Sequence, residues 1–424
     1  MSPASPRSTP PALVALFACA SGLCVANVYY AQPLLEALAA AFAIPRASVG
    51  GVVTATQAGS VLALLLLVPL GDRLPRRQLL LVQLLALVGA LTMVATAARA
   101  PMLLAGMLMV GMLGTAMTQG LIAYAAAASG PHERGRVVGA AQGGVVAGLL
   151  LARVLAGVVA DLAGWRAVYG GAALAMLLMA PVLWRRLPAL PAQQQLRPPH
   201  LLPQDRLCHH SLSYPRLVGS MVALLREDRV LRVRGMLALL MFAAFNILWS
   251  ALVLPLSAPP YMYSHSAIGA FGLVGLAGAL GAARAGRWVD RGHGQRTSLA
   301  ALLLLLAAWL PLGLAFGTGS TPPWTMSMLV IGIVMLDLGV QALQVTNQGL
   351  ILRASTATHS RLVGCYMLFY AVGSGAGALA STSVYAMAGW SGVCWLGAAV
   401  SLAALMFWGI FGRQQAPAAE FIGP

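Results

Sequence analysis

The stretch GVVTATQAGSVLALLLLVPLGDRLPRRQLLLVQLLALVGALTMVATAA (residues 51–98) is two long apolar runs joined by GDRLPRR, which holds one acid and three arginines. Each run has the roughly 20 apolar residues that a helix needs to cross the hydrocarbon layer of a bilayer. Neither alternates over about 10 residues, as a barrel strand would. The charged turn stays at the surface, so the stretch reads as a transmembrane hairpin. Hydrophobic residues make up 59% of the 424, charged residues only 8%, and the mean hydropathy is +0.83. So few charges cannot cover a water-soluble globule, and the lipid bilayer is the expected solvent.

Working outward from the hairpin, the apolar runs place spans at residues 11–41, 49–70, 78–98, 102–126, 137–160, 167–184, 233–256, 266–284, 298–317, 324–350, 362–388 and 393–411. The reading is an all-α membrane protein with twelve transmembrane helices. Ala41, Phe42 and Ala43 resemble a signal-peptide cleavage site, but the apolar run before them is too long for a signal core.

A net charge of +16 would suggest nucleic acid in a soluble protein. All 26 basic residues are arginine, however, and their distribution along the loops is lopsided. With the N-terminus inside, 22 fall in cytoplasmic segments, three (Arg46, Arg99, Arg166) lie on the other side, and one, Arg153, sits within a span. The positive-inside rule then puts both termini in the cytoplasm, and the charge orients the chain rather than binding nucleic acid. Five cysteines, four of them in spans, imply no disulfide framework. Cys208, His209 and His210 are adjacent in a Pro-rich loop without metal-ligand spacing, so neither metal nor cofactor is expected.

Residues 185–232 carry Pro188, Pro191, Pro198, Pro199, Pro203 and Pro215, then an Arg-rich stretch. They read as a cytoplasmic linker ending in a surface helix, between six-helix bundles at 1–184 and 233–424. The halves repeat. An offset of 219 takes Asn27 to Asn246, aromatic Tyr30 to aromatic Trp249, Gly50 to Gly269 and Gly59 to Gly278; an offset of 218 takes Asp72, Arg73 to Asp290, Arg291. An offset of 225 takes Gln119 to Gln344 and the pair Gly164, Trp165 to Gly389, Trp390. A parallel repeat of six spans is the architecture of transporters whose halves rock about a midplane site.

The loop GDRLPRR contains Gly71, Asp72, Arg73, Arg76 and Arg77; its counterpart GRWVDRGHGQR contains Gly286, Asp290 and Arg291. With twelve spans and the repeat, these loops resemble motif A of the major facilitator superfamily, GxxxDRxGRR. The segments NVYYAQPLL (Asn27 to Leu35), LDLGVQALQVTNQ (Leu336 to Gln348) and GWRAVY (Gly164 to Tyr169) are similar to those of its bacterial drug-efflux-like, proton-antiporting branch. The resemblance implies alternating access, a bacterial inner-membrane location, a functional monomer, and Asp72 and Asp290 as cytoplasmic latches. It is not complete. Val68 replaces the leading Gly of motif A and Pro75 its second Gly; Ala116 replaces the span 4 Arg associated with proton coupling; and span 5 lacks the Gly-Pro pair of antiporters.

Asp337, Gln341, Gln344 and Gln348 make one stripe of span 10, with Asn347 beside it. An ionised carboxylate facing lipid costs roughly 2.5 to 3.5 kcal/mol on insertion scales, so the stripe is expected to face a central pathway for substrate and for protons or another coupling ion. Asp337 is the candidate proton site. Asn27, Tyr30, Gln119, Asn246 and Trp249 are the other candidate pathway residues, and Tyr124, Phe245, Tyr366 and Tyr370 could line the same cavity. Few buried charges and many aromatics lean toward a small amphipathic or drug-like solute. No nucleophile, acid–base pair or metal cluster points to an enzyme. Arg153, which cannot shed its charge, needs a partner; helix depth favours Glu36 over Asp337 as a gate or ion pair, with the backbone carbonyls around the Pro33 break as the fallback.

Overall fold

The computed structural model describes residues 9–72, 74–130, 133–188, 214–316, 324–354 and 359–412. Among these residues the chain forms helices and no strand. Ten helices are long and apolar enough to cross a membrane. In the N-terminal half they are α1 (Pro11–Phe42), α2 (Arg46–Gly71), α3 (Arg76–Ala95), α4 (Ala100–Ala128), α5 (Arg134–Ala163) and α6 (Trp165–Arg186). In the C-terminal half α7 is Arg229–Ser257, α8 comes in two pieces, His265–Val274 and Leu276–Asp290, α9 is Gly294–Ala315 and α10 is Thr325–Ala354.

The last of these ten, Leu362–Gly412, has 51 residues. At about 1.5 Å per residue it would run roughly 75 Å, more than twice the hydrocarbon thickness. It folds back at Gly389, whose φ of 61° and ψ of −158° are not helical, to give α11 (362–388) and α12 (390–412). With α11 and α12 separated and α8 included, the described residues hold twelve helical segments in the order of the twelve apolar runs.

Gly389 explains the repeated Gly-Trp pair. Gly164 likewise has a positive φ, 80°, and turns the chain from α5 into α6. Only glycine adopts such angles without a Cβ penalty. The tryptophan after each glycine then anchors the turn. The Trp165 ring lies 5.5 Å from Phe42; the Trp390 ring lies 4.9 Å from Phe316 and its Nε1 donates to the Leu312 carbonyl at 2.8 Å. Pro33, which lacks an N–H, loosens α1 into a 3₁₀ turn at Gln32–Leu34. The surface helix expected at the end of the linker is Tyr214–Glu227, which packs on α7, α11 and the turn Pro69–Asp72. The Cys208, His209, His210 segment lies outside the described residues.

The halves meet along α2 with α11 and α5 with α8. Both contacts are built on glycine. A Cβ on Gly50 would collide with the Ala378 carbonyl, and one on Gly269 with that of Arg153. Gly50 and Gly269 are related by the 219-residue offset, and adding 225 to Arg153 gives Ala378, so the two seams are copies of one another. Gly50 N donates to Thr382 Oγ1 at 3.2 Å, Thr54 Oγ1 to the Gly375 carbonyl at 2.8 Å, and Ser383 Oγ to the Ala47 carbonyl at 3.0 Å. Asp161, near the end of α5, caps the first turn of α8: its carboxylate accepts from His265 N at 3.0 Å and Ser266 N at 2.7 Å. These bonds close the face that carries Arg46 and Arg166, the Arg-poor face.

Replacing an N-terminal capping carboxylate by alanine costs about 1 kcal/mol, roughly a fivefold rise in local opening. Asp161→Ala is therefore expected to raise amide hydrogen exchange at His265 and Ser266 by about that factor while leaving the α2–α11 seam protected. Unchanged exchange at His265 would show that Asp161 does not hold the face shut.

Candidate functional site at the seam

Arg153 is 2% exposed and stands on α5 where the halves touch. Its Nε donates to Gln32 Oε1 at 2.9 Å, and its guanidinium lies 4.1 Å from the Trp249 ring centroid and 5.6 Å from those of Tyr29 and Phe245. A cation over aromatic faces in a dry site gains on the order of 2 kcal/mol. Trp249 and Phe245 belong to α7, so this cation joins both halves. The Gln32 amide continues the link, donating to Asn246 Oδ1 at 3.1 Å. Asn246 in turn donates to the Phe242 carbonyl, as Asn27 does to the Leu23 carbonyl, each four residues back on its own helix. The Asn27–Asn246 repeat is thus a repeat of conformation. Tyr29 and Tyr370 share a hydroxyl hydrogen bond across the same seam.

The expected pairing of Arg153 with Glu36 does not form. Glu36 pairs instead with Arg46, whose Nη2 lies 2.6 Å from Oε1. Helix depth alone pointed to Glu36 because it treated α1 as one straight helix. The 3₁₀ turn at Gln32–Leu34 re-phases the helix, bringing Gln32 to Arg153, and the left-handed residue Ala43 (φ 51°) turns the chain back so that Arg46 covers Glu36.

Asp337, 5% exposed, faces α8. A Cβ on Gly275 would stand 2.5 Å from Asp337 Oδ2, and one on Gly272 would stand 3.2 Å from Cβ and Cδ of Arg153. Gly272 and Gly275 are three residues apart, so the aliphatic stem of Arg153 and the Asp337 carboxylate meet α8 within about one turn of each other. Their fields reach each other. Arg153 Nη2, Trp249 Nε1 and Asp337 Oδ1 are buried without a hydrogen-bond partner among the described residues. Beside them Gln32, Arg153, Trp249, Leu252, Ile268 and Gly269 line a cavity of about 10 Å³, room for one water.

The stripe on α10 does not look into a single space. Asp337 and Gln341 face α8, where a Cβ on Gly278 would stand 3.1 Å from Gln341 Cγ. Gln344 Oε1 accepts from the Tyr366 hydroxyl on α11 at 2.7 Å, and Gln348 is half-buried. Tyr30 is buried; Gln119 is half-buried on α4 and makes no hydrogen bond to the cluster among the described residues. Tyr124 donates to the Pro188 carbonyl, away from the seam.

A second buried cation was missed. Arg234, counted with the linker, is fully buried in α7, where Nη1 donates to Ser298 Oγ at 2.9 Å and to Asn347 Oδ1 at 3.4 Å, and Nη2 to Gln295 Oε1 at 3.1 Å. Arg153 is therefore not alone. The signal was present, since residue 234 lies inside the 233–256 span. At the motif loops, Arg76 Nε donates to the Gly71 carbonyl at 3.1 Å and Arg77 lies 5.1 Å over the Trp184 ring. Gly292, at φ 87°, ends the turn after Asp290 and Arg291, and Gly286 lies on the last turns of α8. Arg73 and the Asp72 side chain lie outside the described residues.

Two six-helix halves meeting at a small buried cluster of cation, carboxylate and amides define a multi-pass membrane transporter. The sequence profile of the Major Facilitator Superfamily matches residues 17–262 and again 234–423, and the chain belongs to that superfamily. It is 41% identical over 407 residues to the uncharacterized transporter YgaY of Escherichia coli strain K12, covering 96% of this chain and 97% of that one. The fold resembles the nucleoside transporter NupG (TM-score 0.73, 16% identity, 94% of this chain and 100% of that one) and the E. coli xylose transporter XylE (0.70, 15%, 97% and 99%).

Gln32→Leu is expected to strand Arg153 Nε and Asn246 Oδ1 together, at about 1–3 kcal/mol per unsatisfied group. The purified variant should unfold at a lower temperature than wild type. In a double-mutant cycle, the combination with Asn246→Leu should cost less than the two single changes added.

Proposed function

We propose that this chain is a proton-coupled secondary transporter that carries a small amphipathic solute by alternating access, with Asp337 as the group that takes and releases the proton. The observation behind this reading is Asp337 itself: a carboxylate buried at the seam, one oxygen without a hydrogen-bond partner, against the same helix that the stem of Arg153 from the other half packs on. A carboxylate that the rocking halves expose to one side and then the other can couple transport to a proton gradient. In this reading residues 1–184 and 233–424 move as two bodies joined by 185–232, and Asp72 and Asp290 latch the Arg-rich face when the Arg-poor face opens. The chain works as a monomer in a bacterial inner membrane.

Export in exchange for protons, the direction that the efflux-like segments imply, and import with protons share this machinery. What separates them is whether solute and proton compete for the site or occupy it together.

Asp337→Asn should abolish gradient-driven transport in proteoliposomes while leaving expression and thermal stability near wild type, and solute exchange without a gradient should persist. Gradient-driven transport at wild-type rate in that variant would remove Asp337 from the coupling step.

The arginine count supports a topology with both termini in the cytoplasm. Phosphatase fused after residue 100 should then be active and after residue 200 inactive; the reverse pattern would invert the topology.

A further inference from the structure

The polar atoms without partners at the seam bear on the solute's chemistry. Arg153 Nη2 and Trp249 Nε1 are donors without acceptors, and Asp337 Oδ1 is an acceptor without a donor. All three are buried, and Arg153 and Trp249 line the same cavity. The wall beyond them is apolar: Leu252 and Ile268 line it, and Phe245 flanks the guanidinium. The cavity admits a single water in this conformation because α5 and α8 are pressed together at Gly157 and Gly269. Parting of the halves would widen this crevice.

We infer that the solute carries a carboxylate, whose oxygens accept from Arg153 Nη2 and Trp249 Nε1 while its apolar body lies against Phe245, Leu252 and Ile268. A guanidinium presents planar donors that match a carboxylate, and a dry aromatic surround strengthens the bond. This inference rests on the seam being the transport site.

Its corollary concerns the proton. Among the described residues the charged group that acts on Asp337 is Arg153, from α5; α8 presents Gly275 and Gly278, α7 presents Trp249, and Tyr29 of α1 and Tyr370 of α11 are bonded to each other. With Asp337 ionised, the site is neutral and offers an anion nothing. With Asp337 protonated, the charge of Arg153 is left for the solute. Binding is reciprocal: the proton favours the anion and the anion favours the proton. Solute and proton then occupy the site together and cross in the same direction.

The test is binding to the purified full-length protein, by calorimetry and thermal shift, of naphthylacetate, its neutral amide and the cation naphthylethylamine, between about pH 6 and 8, where a carboxylate ligand stays ionised. Octanoate serves as a carboxylate of different shape. At least one carboxylate is expected to bind, the amide and amine at least about tenfold more weakly. Affinity should rise as pH falls, by up to about tenfold per unit where one proton is taken up. Asp337→Asn should keep the carboxylate at high affinity without pH dependence. Arg153→Gln should lose it, and Arg153→Lys should retain part of it, which guards against a general loss of fold. Equal binding of the amide, binding that weakens as pH falls, or no binding by either carboxylate would overturn the inference. The transport reading is tested separately, by gradient-driven flux in Asp337→Asn, and can stand if the carboxylate fails.

Discussion

A guanidinium keeps its charge at any pH a cell reaches, and in the middle of a membrane that charge must be surrounded by groups that replace water. Much of the seam is arranged around this requirement at Arg153. The 3₁₀ turn at Pro33 presents Gln32 to its Nε, α7 supplies the faces of Trp249 and Phe245, and glycine at 269 and 272 lets α8 approach closely enough to shut out lipid. Two of these elements belong to the opposite half of the chain. The halves therefore share responsibility for one charge, and moving them apart changes its surroundings.

Pseudo-symmetry shows where chemistry was added to the scaffold. Backbone contacts are duplicated: a Cβ on Gly59 would stand 2.7 Å from Met112 N, and one on the equivalent Gly278 would stand 3.0 Å from the Asp337 carbonyl. The 225-residue offset equates Met112 with Asp337 and Arg153 with Ala378. At both ionisable positions the other copy carries a residue without charge. The packing is symmetric; the charge pair lies where the repeat departs from itself.

That division also explains what could be read from the sequence. Spans, turns and the repeat follow from hydrophobic length and from residues with one structural use, such as Gly164 and Gly389, so they were legible. Asp337, Asn246 and Trp249 were legible as polar or aromatic residues in an apolar span, and the structure gathers them with Arg153. Partners were harder. Depth favours Glu36 over Asp337 as the partner of Arg153, and Gln32 does not emerge, because a one-turn change of helix type at Pro33 does not show in a depth estimate. Arg234 passed as a loop residue because it closes the Arg-rich run Arg226, Arg229, Arg232, while the amides and the hydroxyl that hold it come from α9 and α10. Gln344 and Asp337 share a stripe in sequence, yet α8 and α11 divide that stripe between them.

The glycine seams between α2 and α11 and between α5 and α8 have a consequence for speed. There the closed face is largely backbone against backbone, with hydroxyls and carbonyls rather than ion pairs filling the gaps. Separating such surfaces exposes few charges that water must resolvate, so ionic strength should have little hold on most of the seam. Asp161 is the exception, a single carboxylate on two amides and the His265 imidazole, whose Nδ1 lies 2.8 Å from it. A face shut in this way behaves like a zip with one button: most of its length parts without an ionic barrier, and its opening becomes sensitive to one rim contact.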